Sequence, residues 1–198
     1  MSFYFSSNHV IYHSHIPRTG GISVQEWLNM EGMPVRGVSS CKPPCALQHR
    51  HLANATLKQD ILTYEPDLFF AVIRHPVDRL KSLWKMMYGQ DNYMNPSSEF
   101  DLYVHQATQI QRRDEYHENN GIRPQVEFVD DRFDLFAIDN LSDVGEWLSE
   151  ACKLELRKFP VEKHNPTSFD FAVSSATVEK IEDVYRADLE LYRLLKDA

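Results

Sequence analysis

His15-Ile16-Pro17-Arg18-Thr19-Gly20-Gly21-Ile22-Ser23 follows the short apolar, β-branched run Val10-Ile11-Tyr12 and precedes an amphipathic segment with Val24, Trp27 and Leu28. That order reads as strand, tight basic loop, helix. Two adjacent glycines let the backbone take positive φ and approach a ligand closely. A helix that starts just after them turns unpaired N–H groups and the positive end of its dipole back onto the loop. Arg18, Thr19 and Ser23 add a cation and two hydroxyls. A loop of this kind is suited to an anion, above all a phosphate.

The rest of the chain alternates in the same manner. Residues 9–16 read as the first strand and 21–31 as the first helix, which Gly32, Pro34 and Gly37 then break. Residues 33–48 read as irregular, because Cys41-Lys42-Pro43-Pro44-Cys45 is too rich in proline for regular structure. A helix is expected through Leu57, Ile61 and Leu62. Leu68-Phe69-Phe70-Ala71-Val72-Ile73 is apolar without interruption. A strand with such a pattern is covered on both faces, as in a parallel sheet. Pro76 suits the first turn of the helix that follows. Further helices are expected over 98–111 and 141–152 and, as one long element, over 176–196. Residues 112–123 read as a charged surface loop or lid, 133–138 as a further strand, and Leu154, Leu156 and Phe159 as a short extended piece. Strands alternating with helices predict an α/β fold in a single domain, residues 1–198.

Composition narrows the function. Of 198 residues, 42% are hydrophobic and 25% charged, as in an ordinary globular protein. The formal net charge of -8 argues against general nucleic-acid binding, so a cation site has to be a local patch. No apolar run reaches the roughly 20 residues of a membrane span, and no secretory signal is evident; the expectation is a cytoplasmic protein. The three cysteines, Cys41, Cys45 and Cys152, do not form a disulfide framework and read as plain thiols. No metal-ligand set stands out.

A second stretch sharpens the first. Val72-Ile73-Arg74-His75-Pro76-Val77-Asp78-Arg79-Leu80-Lys81-Ser82 puts Arg74 at the carboxyl end of a buried strand and Ser82 on the following helix. Ligands of open α/β sheets bind beyond the carboxyl ends of strands. Arg74 offers a planar fork suited to phosphate. Arg79 reads as structural, paired with Asp78 or another acidic neighbour at the surface. The Gly-x-x-x-x-Gly-Lys-Ser/Thr spacing of nucleotide kinases and ATPases is absent, which weakens a kinase reading.

Taken together, the two stretches resemble the donor motifs of sulfotransferases of the carbohydrate-modifying, uronyl 2-O type. Residues His15 to Gly21 resemble the family's 5′-phosphosulfate loop. Val72 to Pro76, with Arg79 and Ser82, resembles its 3′-phosphate motif. The resemblance implies a three-layer αβα fold with a central parallel sheet, related to the P-loop nucleoside triphosphate hydrolases. It also implies 3′-phosphoadenosine 5′-phosphosulfate (PAPS) as co-substrate, with no metal required. Pro17, Arg18, Thr19, Gly20, Gly21, Ile22 and Ser23 would then grip the 5′-phosphosulfate, and Arg74 and Ser82 the 3′-phosphate. Asn165 and Ser168 would touch the adenine end, or simply build a turn. The acceptor would be a hydroxyl on a saccharide or small metabolite, with Gln125 either touching it or bonding backbone. His51, with His49 second, resembles the family's histidine base; a histidine pKa of about 6.5 suits proton removal near neutrality. Arg18 stands where the family usually carries lysine, as the cation that meets the leaving group. Two other readings stay open: a binding module for PAPS or its product PAP without turnover, and a P-loop-related kinase.

Overall fold

The computed structural model describes residues 2–35, 65–88, 96–114, 117–159 and 170–197. Its centre is an open four-stranded sheet in the order β1-β2-β3-β4. Strand β1, Ser2–Phe5, pairs antiparallel with β2, Val10–Ser14, setting Phe3 opposite Tyr12. Strand β3, Leu68–Ile73, runs parallel to β2 with Phe69 opposite Tyr12. Strand β4, Asp134–Ala137, runs parallel to β3 and ends with Ala137 opposite Ile73.

Side chains of successive strand residues point to opposite faces, and both faces here are buried. Tyr12, Ala71, Ile73 and Ala137 share one apolar cluster with Phe128 and Tyr192. Ile11, Phe70 and Val72 share the other with Val24, Trp27, Leu28, Val144, Leu148 and Cys152. The second cluster draws on helices α1, Gly21–Met30, and α5, Leu141–Cys152. The first draws on α7, Arg186–Lys196. Helices therefore cover both sides, which is why β3 is apolar throughout. A third cluster joins α2, Pro76–Tyr88, to α3, Pro96–Gln111, and α6, Ser175–Val184, through Leu80, Leu83, Trp84, Phe100, Val104 and Ile181.

Four features depart from the sequence expectations. The sheet is mostly parallel rather than wholly so, because β1 adds an antiparallel edge; its turn is closed by Ser6 N–H donating to His9 O at 3.0 Å and His9 N–H to Ser6 Oγ at 3.1 Å. The expected loop over 112–123 contains a helical turn, α4, His117–Asn120. Residues 154–159 form no strand; there Arg157 O accepts instead from the Trp27 indole at 3.1 Å. The long C-terminal helix is two, divided at Tyr185 (φ -108°, ψ 36°). The Tyr185 hydroxyl donates to Ile122 O at 2.6 Å, a buried bond at the point of division. Cys152 is a buried free thiol, as read; Cys41 and Cys45 lie outside the described residues.

Candidate functional site

Strand β2 runs into the glycine loop through a tight turn in which Ile16 N–H donates to Ser14 O at 2.9 Å. Arg18 (φ 68°) and Gly20 (φ 86°) both take left-handed backbone, on either side of Thr19. At Arg18 this conformation is uncommon for a residue with a Cβ. The buried Thr19 hydroxyl donates to Ile16 O at 3.0 Å, so Thr19 shapes the loop from within rather than offering its proton outward.

Gly20 caps α1 without any side-chain cap, and the first turn of the helix holds no acidic residue. The first intrahelical bond is Val24 N–H to Gly20 O at 3.1 Å, which leaves the N–H groups of Gly21, Ile22 and Ser23 outside the helix ladder. Gly21 is glycine for a steric reason: a Cβ there would fall inside the imidazole of His15. Uncapped donors, a positive dipole end and no nearby carboxylate on the helix make this the place where an anion is stabilised.

Two arginines close the site from the next strand and helix. Arg74 follows the last residue of β3 and donates from Nη1 to Arg18 O at 3.2 Å. Arg18 in turn extends toward α2, where Nε and Nη2 donate to Ser82 Oγ at 3.1 and 3.0 Å and Nη1 lies 3.2 Å from Met86 Sδ. The structure thus brings Arg18, Arg74 and Ser82 together beside the start of α1. Burial lowers the pKa of the Arg18 guanidinium, and the Arg74 charge lowers it further. Burial also lowers that of Arg74, against the opposing pull of Asp78, Asp139 and Tyr192.

Arg79 is not at the surface. It is fully buried and spends its fork on three carbonyls: Pro17 O at 3.0 Å, Arg123 O at 2.9 Å and Gly121 O at 2.9 Å. Its position three after Pro76 and four before Leu83 puts it on the inward face of α2, a signal the sequence did carry. Gln125 is fully buried as well and bonds backbone, the second of its two expected roles. Its amide pairs with Arg74, and its own N–H donates to Asp188 Oδ2 at 2.8 Å. Asp188, which reads in the sequence as a packing and bonding residue of the last helix, does bond structurally, accepting from the backbone of Gln125 and Val126. His49, His51, Asn165 and Ser168 lie outside the described residues.

Comparison of the chain with protein-family models, with curated proteins and with solved structures finds no match in any of the three. Among the described residues, no helix is long and apolar enough to cross a membrane, and no cluster of three or more His, Cys, Asp or Glu is placed to hold a metal ion. The site combines two half-buried guanidiniums from the segments that follow two adjacent parallel strands, a hydroxyl from α2 and the uncapped backbone donors at the start of α1. Such donors are complementary to an anion.

Proposed function

We propose that this protein is a sulfotransferase of P-loop-related fold that takes PAPS as donor and transfers its sulfuryl group to an acceptor hydroxyl, on a saccharide or a small metabolite. One observation carries the reading. Arg18, in the loop beyond β2, donates to Ser82 Oγ, and Arg74, just past the end of β3, donates to Arg18 O, beside the uncapped start of α1. A donor with a 5′-phosphosulfate and a separate 3′-phosphate uses both halves of such a site. The resemblance of His15 to Gly21 and of Val72 to Ser82 to sulfotransferase motifs supports the same assignment.

In the proposed reaction the acceptor oxygen forms a bond to sulfur. The bond from sulfur to the bridging oxygen breaks, and its electron pair leaves with the 5′-phosphate as PAP. Backbone N–H groups of Gly20 to Ser23 hold the 5′ end, and Arg74 with Ser82 holds the 3′-phosphate. Arg18 offsets charge that develops on the leaving oxygen. His51, or His49, takes the acceptor proton. A second reading, binding without turnover, is favoured by one detail: the Arg18 fork is committed to Ser82 and Met86.

Titration of PAP against ATP with Mg²⁺ tests the donor. The expected result is PAP binding that Arg74→Ala strongly weakens; a preference for ATP with Mg²⁺ refutes the reading in favour of a kinase. Sulfate transfer over an acceptor panel by wild type, Arg18→Lys and His51→Ala then separates enzyme from binder. Binding with no turnover in any of the three identifies the binder, and full activity in His51→Ala removes His51 as base.

A further inference from the structure

The β3–β4 ladder ends at the pair Ile73 and Ala137, one residue before Arg74. The peptide groups of Arg74 would then lose their strand partner at the edge of the site. Gln125 replaces it. Its Oε1 accepts from Arg74 N–H at 3.0 Å, and its Nε2 donates to Arg74 O at 2.8 Å. One side-chain amide thus reproduces the two-bond pairing of a neighbouring strand on a single residue.

The amide is itself held. Asp188 Oδ2 accepts from Gln125 N–H at 2.8 Å and lies 3.4 Å from Gln125 Nε2, while Oδ1 accepts from Val126 N–H at 3.0 Å. The carboxylate beside Nε2 fixes which end of the amide faces Arg74 N–H, since the flipped amide would set donor against donor. Asp188 and Gln125 are both fully buried, so neither touches a ligand directly. Arg79 lies in the same buried region as Asp188 and holds Pro17 O, on the other half of the site.

We propose that Gln125 and Asp188 are positioning residues that set the Arg74 guanidinium for the 3′-phosphate, and so determine preference for a 3′-phosphorylated donor. This rests on the sulfotransferase reading above. Gln125 acts through the backbone of Arg74. Asp188 acts through Gln125.

Binding of PAP and of adenosine 5′-phosphosulfate, which lacks the 3′-phosphate, is measured for wild type, Gln125→Met, Arg74→Ala and the double variant, with thermal unfolding of each. Gln125→Met keeps the length of the side chain and removes its hydrogen bonds. It is expected to weaken PAP binding about tenfold, the scale of a lost buried hydrogen-bond pair, and to leave adenosine 5′-phosphosulfate unchanged. In the Arg74→Ala background it is expected to cost nothing more. Equal weakening of both ligands, additive losses, or no loss overturns the assignment. If Gln125→Met does not fold, Asp188→Asn, which keeps the shape and one acceptor oxygen, is read in the same way. If wild type binds PAP no better than adenosine 5′-phosphosulfate, the donor reading fails by itself. Positioning is then read in the ligand-free protein from the order parameter of the Arg74 Nε–Hε group by NMR. A drop in Gln125→Met sustains it; unchanged order overturns it.

Discussion

Replacing His13 by phenylalanine should remove much of this protein's sensitivity to mild acid. His13 sits in β2 on the face where Ile11 also points, fully buried. Its ring stacks on Phe70 with centroids 4.4 Å apart and planes 4° from parallel, and it stacks on His15 at 5.5 Å and 11°. Neither ring nitrogen has a hydrogen-bond partner among the described residues. Burial, then the His15 charge, then the chain's amino terminus hold the His13 pKa well below the ordinary histidine value. The folded protein therefore refuses a proton that the unfolded chain accepts at about pH 6.5. Below that pH the unfolded state binds more protons, so stability falls as pH falls, starting at the unfolded pKa and continuing down to the folded one.

The slope is about 1.4 kcal/mol per pH unit for one such group. The loss accumulates over the interval between the unfolded and the folded pKa, and it is set against the roughly 5–15 kcal/mol that holds a domain folded. His13→Phe keeps a ring on Phe70 and abolishes the titration. Its effect at neutral pH mixes two opposed quantities. Removing unpaired buried nitrogens gains about 1–3 kcal/mol, and the larger ring costs up to a similar amount in overpacking. The decisive quantity is therefore the difference in stability between neutral and mildly acidic solution, measured by urea unfolding for both proteins. The variant should lose less than wild type on acidification. Identical pH dependence, or an ordinary histidine titration of His13 in the folded protein by NMR, refutes the reasoning.

Arg79→Met leaves three buried carbonyls without a donor and Asp188 without its cation; a loss of about 3–5 kcal/mol is expected, read as a shift in the urea midpoint. Gly21→Ala drives a methyl group into the His15 ring and should cost about 1–3 kcal/mol. If that clash is the cause, His15→Ala in the same background recovers part of the loss, and strict additivity of the two substitutions refutes it.

Elements whose form is set locally were legible in the residues. β3 was readable to the residue because both of its faces are buried and nothing polar interrupts it. The α1 start was readable because two glycines announce it. The division of the last helix was not, since Ile181, Val184, Asp188 and Tyr192 keep the helical period straight through it. The break coincides with bonds to distant segments, Tyr185 to Ile122 O and Asp188 to the N–H groups of Gln125 and Val126, which the local pattern does not show. In the site, the placement of Arg74 and Ser82 followed from a strand end and a helix position. The direction of Arg18 did not, because it depends on a positive φ that no residue type at 18 signals. The expected general base and adenine contacts, His49, His51, Asn165 and Ser168, lie outside the described residues.

One residue type serves two ends in this site, and the difference lies in how its donors are spent. A guanidinium has five N–H donors and no acceptor. At position 79 it is fully buried, aimed at three carbonyls and set near Asp188; its charge and its hydrogen bonds are both met by the protein. At position 74 a single carbonyl is bonded among the described residues, and at 18 the partners are a neutral hydroxyl and a thioether. Those two cations also lower the site's tolerance for each other, since the Arg74 charge disfavours that of Arg18. Asp78 and Asp139 offset part of the charge at Arg74, while burial and the Arg74 charge still disfavour that of Arg18. An anion between them offsets both the repulsion and the partial desolvation. Arg74→Ala should therefore weaken anion binding while sparing the fold, where Arg79→Met does the reverse. A variant at 74 that unfolds the protein, with one at 79 that leaves its stability intact, would invert this assignment of roles.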